Sequence, residues 1–311
     1  MATSLSELKK RKSKRFEDLK DKLESNSNNY KNNDERFWYP YVDKSGNGFA
    51  IIRFLDAPKG EEDPYVKVFS HSFQGPNGWF IENCPTSIGQ SCVLCDYNRR
   101  LWNSGIESDK TIVRNQKRKL TYISNILVLK DPQNPENEGT VRLFKFGQKV
   151  FAKIQDKMKP QFEDEEPTNV FDFWEGCNFR LKIRNLDGYR NYDKSEFDSP
   201  SPLSEDDSEI ESIWNKQHSL KTFLDPENFK SKDDIHARLV KVLGFDPMSD
   251  TLYRPGDIVT SNDTAEKRIK EDVVEKEEVE EVPVDFRKST PPSSSSIDDD
   301  DDFFEDIASK L

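Results

Sequence analysis

Apolar and cationic residues alternate strictly at Phe179-Arg-Leu-Lys-Ile-Arg184, the clearest local pattern in the chain. A period of two puts Phe179, Leu181 and Ile183 on one face of a strand and Arg180, Lys182 and Arg184 on the other. Further β-prone runs occupy residues 49–55, 65–73, 79–83, 121–129 and 140–146. They are punctuated by Ser45-Gly-Asn-Gly48, Gly75-Pro-Asn-Gly78, the loop 131–139 and Gly147. Helical spacing predicts helices over residues 93–102, 150–158, 205–217 and 232–243, the last with Ile235, Leu239, Val240 and Leu243 on one side. Near the start, Leu5, Leu8, Phe16 and Leu19 share a helical stripe around Lys9, Lys10, Arg11, Lys12, Lys14 and Arg15. This stretch is either a basic amphipathic arm or a frayed, solvated charge run.

Many short strands with a few helices predict a mainly β, α+β fold, a small barrel of OB type. The expected organisation is a basic arm at 1–22, an Asn-rich linker at 23–36, a core at 37–255 and an acidic tail at 256–311. The tail has too little apolar surface for a core of its own, so it is expected to be disordered.

Composition supports that division. Only 33% of the 311 residues are hydrophobic and 34% are charged, so part of the chain stands outside any core. Four cysteines, with Cys177 apart from the rest, do not make a secreted disulfide framework and suit a reducing cytoplasm. No apolar run approaches the ~18 residues of a membrane span, and no signal-peptide core is visible. A soluble, intracellular protein is expected. The net charge of −12 is unevenly distributed: residues 261–311 hold 7 Lys/Arg against 17 Asp/Glu, whereas residues 111–153 hold nine Lys/Arg against three acids. A basic middle points to a polyanion partner and an acidic end to a protein partner or self-shielding.

His71, Cys84, Cys92 and Cys95 are separated by twelve, seven and two residues. Thiolate and imidazole are zinc ligands, and a two-residue gap between cysteines lets one tight turn present both sulfurs to one ion. Four protein ligands leave no open position, so the spacing predicts one structural Zn²⁺ and a zinc-stapled lobe at about 65–103. A redox Cys-x-x-Cys pair, or thiols buried as small apolar groups, is the competing reading.

Aromatics interleave with the basic middle. Tyr122 follows Lys117, Arg118 and Lys119; Phe144 and Phe146 flank Lys145; Tyr189 and Tyr192 flank Arg190. Unpaired bases stack on rings while cations neutralise phosphates, so single-stranded nucleic acid fits better than duplex. Phe144 and Phe146 are equally compatible with a core. Together with Arg180, Lys182 and Arg184, these residues form the candidate groove. Nothing in the pattern reads a 2′-hydroxyl, so a single-stranded RNA-binding regulator stays open beside DNA. An enzyme is not expected, because the three histidines are scattered and no acid–base pair is evident.

Several motifs occur in one order: the Cys₃His set, Lys117-Arg-Lys119 with Thr121-Tyr122, Asn125-Ile-Leu-Val, Lys130-Asp-Pro with Pro135-Glu-Asn-Glu-Gly139, Phe146-Gly147, Trp174-Glu-Gly176, Asn191-Tyr-Asp193, and four serines before an acidic end. In this the chain resembles the helix-destabilising single-stranded DNA-binding proteins of T-even type bacteriophages. The resemblance covers residues 1 to about 195 well and the tail by composition. It implies an OB-fold core with a zinc lobe and non-sequence-specific, cooperative binding of single-stranded DNA in a basic cleft. Lys117, Arg118, Lys119, Tyr122, Phe144, Tyr189 and Tyr192 match DNA-contacting positions of that family. It also implies self-association along DNA through the arm. Replication and recombination proteins (polymerase, helicase loader, recombinase) would be recruited through Asp298, Asp299, Asp300, Asp301, Asp302, Phe303 and Phe304. The setting would be phage DNA replication, recombination and repair in the cytoplasm of the infected bacterial host. Two departures are visible: Ile123 replaces a tryptophan of the family, and the zinc loop is shorter.

Overall fold

The computed structural model describes residues 34–162, 164–186 and 188–257. In chain order the strands are β1 (Gly48–Phe54), β2 (Tyr65–Gly75), β3 (Gly78–Asn83), β4 (Lys119–Lys130), β5 (Val141–Phe146), β6 (Asn178–Leu186), β7 (Tyr189–Asn191) and β8 (Glu196–Phe197). The helices are α1 (Val93–Asn103), α2 (Glu107–Gln116), α3 (Gln148–Met158), α4 (Asp207–Asn215) and α5 (Lys232–Leu243). The architecture is mainly antiparallel, open sheet with a few helices, in two compact units. Within the described residues, the first unit comprises 34–64 and 124–218 and the second 65–123 and 219–257.

In the first unit β1 lies between β4 and β6 and is antiparallel to both, with Ile52 opposite Val128 on one side and Phe179 on the other. β5 pairs with β4, and β7 and β8 pair with β6. Period-two geometry turns Ala50, Ile52 and Phe54 inward together with Phe179, Leu181 and Ile183, and all six are buried. Phe54 is the hub of an aromatic cluster: the rings of Phe144, Phe146, Phe171, Phe179 and Phe197 lie 5.4–6.4 Å from its own. Each such ring contributes about 1.5–3 kcal/mol by leaving water. Arg53 is also fully buried, and its guanidinium donates to Asn178 Oδ1 and to the carbonyls of Asp172 and Ser201. Those oxygens offset the desolvation of the buried cation.

The second unit is built on the β2–β3 hairpin, in which Phe73 faces Phe80 and Gly75 faces Gly78. Gly78 closes the turn at φ +128°, and a Cβ on Gly75 would sit 2.7 Å from Val242 Cγ1 of α5. Glycine is therefore required where the helix meets the turn. α1 buries Val93, Leu94, Tyr97 and Leu101 against this hairpin core. α5 starts at Ser231, whose hydroxyl accepts from the Asp234 N–H, and stops at Gly244 in the left-handed region. Its buried stripe is Ile235, Leu239, Val242 and Leu243, so Val242 takes the place expected of Val240. No helix among the described residues is long and apolar enough to cross a membrane.

Candidate metal centre and nucleic-acid interface

Backbone pairing sets up the first cluster. β2 carries His71, and Cys84 follows β3 directly, its N–H donating to the Phe69 carbonyl at 2.8 Å. Cys92 is the N-cap of α1 and Cys95 lies in its first turn. The four ligand atoms come together with no pair more than 4.8 Å apart. Cys84 Sγ and Cys95 Sγ are 3.7 Å apart, and His71 Nε2 lies 3.6 Å from Cys92 Sγ and 3.5 Å from Cys95 Sγ. A tetrahedral ion bonded to sulfur and imidazole nitrogen at ordinary zinc distances sets sulfur–sulfur edges of about 3.8 Å and sulfur–nitrogen edges of about 3.6 Å. The donor set and its spacing thus fit a metal ion.

The surroundings orient these ligands. His71 Nδ1 lies 3.0 Å from the Gln116 carbonyl, which also accepts from Asn98 Nδ2 at 3.1 Å. Donation from Nδ1–H fixes the tautomer that leaves Nε2 for an ion. Without a cation, crowded sulfurs cannot all ionise. Hydrogen bonds with Cys92 and Cys95 hold the Cys84 thiol far below its ordinary range, whereas contacts with Cys84 and Cys92 push Cys95 up. Burial, the largest single influence, opposes charge on His71, yet hydrogen bonding and negative charge at Cys84 and Cys92 together push it up to about 9. Cys177 is buried in the first unit and takes no part in the cluster.

α2 brings the chain from this cluster to Lys117, Arg118 and Lys119. It was not foreseen from the sequence because its buried residues are Asp109 and Gln116, not an apolar stripe. Asp109 is fully buried and accepts from Arg254 Nε at 2.6 Å and from Ser104 Oγ at 2.7 Å. Lys117 and Arg118 are exposed. The Arg118 guanidinium lies 4.2 Å over the Phe69 ring and donates to Thr86 Oγ1 at 2.7 Å. Next to it on β2, Lys67 Nζ stands 5.9 Å from the rings of both Tyr65 and Tyr122, which are 5.9 Å apart. Tyr65, Lys67 and Phe69 alternate along one face of β2, so they form a cation–aromatic strip with Tyr122 and Arg118. The period-two pattern Tyr-x-Lys-x-Phe was legible in the sequence, but these three residues were not singled out. Tyr122 itself is 3% exposed, the inner member of that strip.

The first unit holds the remaining candidates in three different settings. Phe144 is 4% exposed and packs edge-on against Trp38 and stacked on Phe146, so its ring belongs to the core and offers no free face to a base. Lys145, on the opposite side of β5, lies 4.2 Å over Phe37. On β6 the expected cationic face is present but neutralised. Arg180 pairs with Asp198 at 2.5 Å, Lys182 with Glu196 at 2.6 Å, and Arg184 with Asp193. Tyr189 is exposed on β7, whereas Tyr192 is buried. The arm residues Lys9, Lys10, Arg11, Lys12, Lys14 and Arg15 and the tail residues Asp298, Asp299, Asp300, Asp301, Asp302, Phe303 and Phe304 lie outside the described residues.

Comparison with known proteins places this geometry. The profile of the family described as "gp32 DNA binding protein like" matches residues 46–243. The "Single-stranded DNA-binding protein" of Enterobacteria phage T2 is 35% identical over 228 residues, 72% of this chain and 75% of that protein. Its namesake in Enterobacteria phage T4 is 34% identical over 220 residues, 69% of this chain and 72% of the relative. A namesake from Escherichia phage SV14 is 36% identical over a shorter segment of 78 residues. The matched region contains the Cys/His cluster, α2, the basic run after it and every strand of both units, and on that evidence the chain belongs to the gp32-like family of DNA-binding proteins.

Proposed function

We propose that this protein binds single-stranded DNA without sequence preference in a basic, aromatic-lined cleft, and that it acts as a binding protein in phage replication, recombination and repair. The observation that carries the reading is the strip in which Tyr65, Lys67 and Phe69 alternate on one face of β2, with Arg118 over the Phe69 ring and the buried Tyr122 ring packed against Tyr65 and Lys67. Rings serve unstacked bases of any identity while the cations serve phosphates. The names of the T2 and T4 relatives agree with it, and they describe binding proteins rather than enzymes. The Cys₃His cluster holds one Zn²⁺ as a structural staple, since four protein ligands leave no position for a reacting water. The order strand, strand, strand, helix, strand from β1 through β4, β5 and α3 to β6 supports reading the open sheet of the first unit as an OB-type fold. In the second unit Lys117 and Lys119 supply further contacts; in the first unit Tyr189 and Arg190 are contacts considered on their own.

The test is an intrinsic-fluorescence titration of the full chain with a thymidine oligonucleotide, its duplex and the matching RNA over a range of salt concentrations. Strong quenching by single-stranded DNA with a steep salt dependence is expected. Equal affinity for duplex sinks the stacking model, and tighter binding of RNA favours an RNA-binding regulator instead.

A further inference from the structure

We propose that Thr86 is a positioning residue that couples the metal centre to the nucleic-acid surface by holding Arg118 ready for a phosphate. This rests on the reading above that the cluster holds zinc and that Arg118 contacts DNA. Thr86 lies in the 3₁₀ turn Pro85–Ile88, two residues beyond Cys84. Its Oγ1 is 3.1 Å from Cys84 Sγ and 2.7 Å from Arg118 Nη1.

The chemistry of the three groups gives this chain a single polarity. A guanidinium can only donate, so the hydroxyl accepts from Arg118 and its own proton is left for the sulfur. A metal-bound thiolate is an acceptor for that proton. Three thiolates and a neutral imidazole around a divalent ion leave a net charge of about −1 at the centre, which favours a cation just outside it. Arg118 is that cation. Its other support is the ring of Phe69, whose carbonyl accepts from the Cys84 N–H at 2.8 Å and whose own N–H donates to Ser87 Oγ at 2.8 Å. Hydroxyl and ring are therefore both anchored to the segment that carries Cys84. Arg118 is exposed, so a phosphate can reach it. Holding a long, flexible side chain in place removes rotamer freedom that phosphate binding otherwise has to take away.

The experiment uses zinc-loaded full-length protein as T86V, T86S, R118A and the double variant T86V/R118A, titrated with a thymidine oligonucleotide. Cobalt-substituted samples report on the metal site through their absorption spectrum. Valine keeps the shape of threonine and removes only the hydroxyl. T86V is expected to retain the tetrahedral cobalt spectrum yet bind the oligonucleotide about threefold to tenfold more weakly. T86S should restore binding. In the R118A background, T86V should have no further effect, because the hydroxyl acts only through the arginine. Full affinity in T86V overturns the inference, as does an equal additional loss in the double variant, which would mark a purely structural role. Failure of the unsubstituted protein to bind cobalt, or full affinity in R118A, overturns the underlying reading and the coupling with it.

Discussion

The imidazole Nδ1 of His71 lies 3.0 Å from the main-chain carbonyl of Gln116, the last residue of α2. One contact thus ties the metal cluster to the helix that delivers Lys117 and Arg118. Its far end is held by Asp109, a fully buried carboxylate shared between Arg254 and Ser104. D109A should destabilise the second unit by about 1–3 kcal/mol, because it removes the buried carboxylate to which Arg254 and Ser104 both donate. Thermal unfolding measures the loss, and cobalt affinity should fall with it if α2 orients His71. Unchanged stability would show that the helix is held by something other than its polar anchors.

Metal removal should act on the same unit. One zinc per chain is expected by elemental mass spectrometry, and C92S should abolish it. Chelation should cost several kcal/mol of stability, since binding energy at such a site is folding energy. The pH dependence has a definite sign. In the metal-free protein His71 is raised from 6.5 to about 9, so its proton contributes stability below about pH 6.5 and that contribution is lost as pH rises through about 9. An ion competes for the same nitrogen and for the thiolate sulfurs. Apparent zinc affinity should therefore fall at least about tenfold for each unit of pH lowered below neutrality. A pH-independent affinity measured against a chromophoric chelator would rule out this ligand set.

Phe144 and Tyr189 separate core aromatics from surface ones. F144A removes a ring from the Phe54 cluster and should cost about 3–5 kcal/mol of stability, while any folded fraction still binds the oligonucleotide. Y189A removes an exposed ring and should leave stability within about 0.5 kcal/mol, yet weaken binding by about 1–3 kcal/mol if a base stacks there. Fluorescence titration and thermal melting on the two variants together decide which ring does what.

How much of this was legible in the sequence depended on whether the partner of a residue was near it. The apolar face of β6 followed from alternation alone, and the Cys₃His cluster from spacing, because both are local. α2 was missed since its anchors, Arg254 and the His71 ring, are distant in sequence and polar. Phe144 and Phe146 stand one residue either side of Lys145 and face away from it into the core, whereas Tyr65 and Phe69 stand two residues from Lys67 and share its face, a difference of period that the sequence does carry. Which face of a strand meets a core is decided by the neighbouring strands. The ion pairs of β6 were hidden for a similar reason, as Asp193, Glu196 and Asp198 come from the return of the chain beside it.

Those ion pairs have a measurable consequence. A phosphate approaching Arg180, Lys182 or Arg184 meets a cation whose charge a carboxylate already offsets. K182A should therefore weaken oligonucleotide binding less than R118A, whose partner is a neutral hydroxyl. E196Q should instead raise affinity by about twofold and steepen its salt dependence, as a cation is freed for counterion exchange. Equal losses in K182A and R118A would mean that the β6 cations meet phosphate directly despite their partners.

The two charged ends of the chain allow a separation of intrinsic affinity from cooperativity. Lys10-Arg-Lys-Ser13 echoes Lys117-Arg-Lys119 with Thr121, so one acidic or phosphate-like surface suits either segment. Residues 298–302 are five consecutive aspartates, a sequence with the charge of a short nucleic acid. If the tail occupies the basic cleft until DNA displaces it, deleting residues 289–311 should tighten oligonucleotide binding at low salt, and the gain should shrink as salt screens the competition. Unchanged affinity at every salt concentration would refute that competition. If the arm supplies neighbour contacts, removing residues 1–20 should weaken binding to long strands while sparing oligonucleotides of one site size, because only the former seat adjacent molecules. Equal losses on both substrates would assign the arm to direct phosphate contact, and its basic residues would then be counted with Lys117 and Arg118.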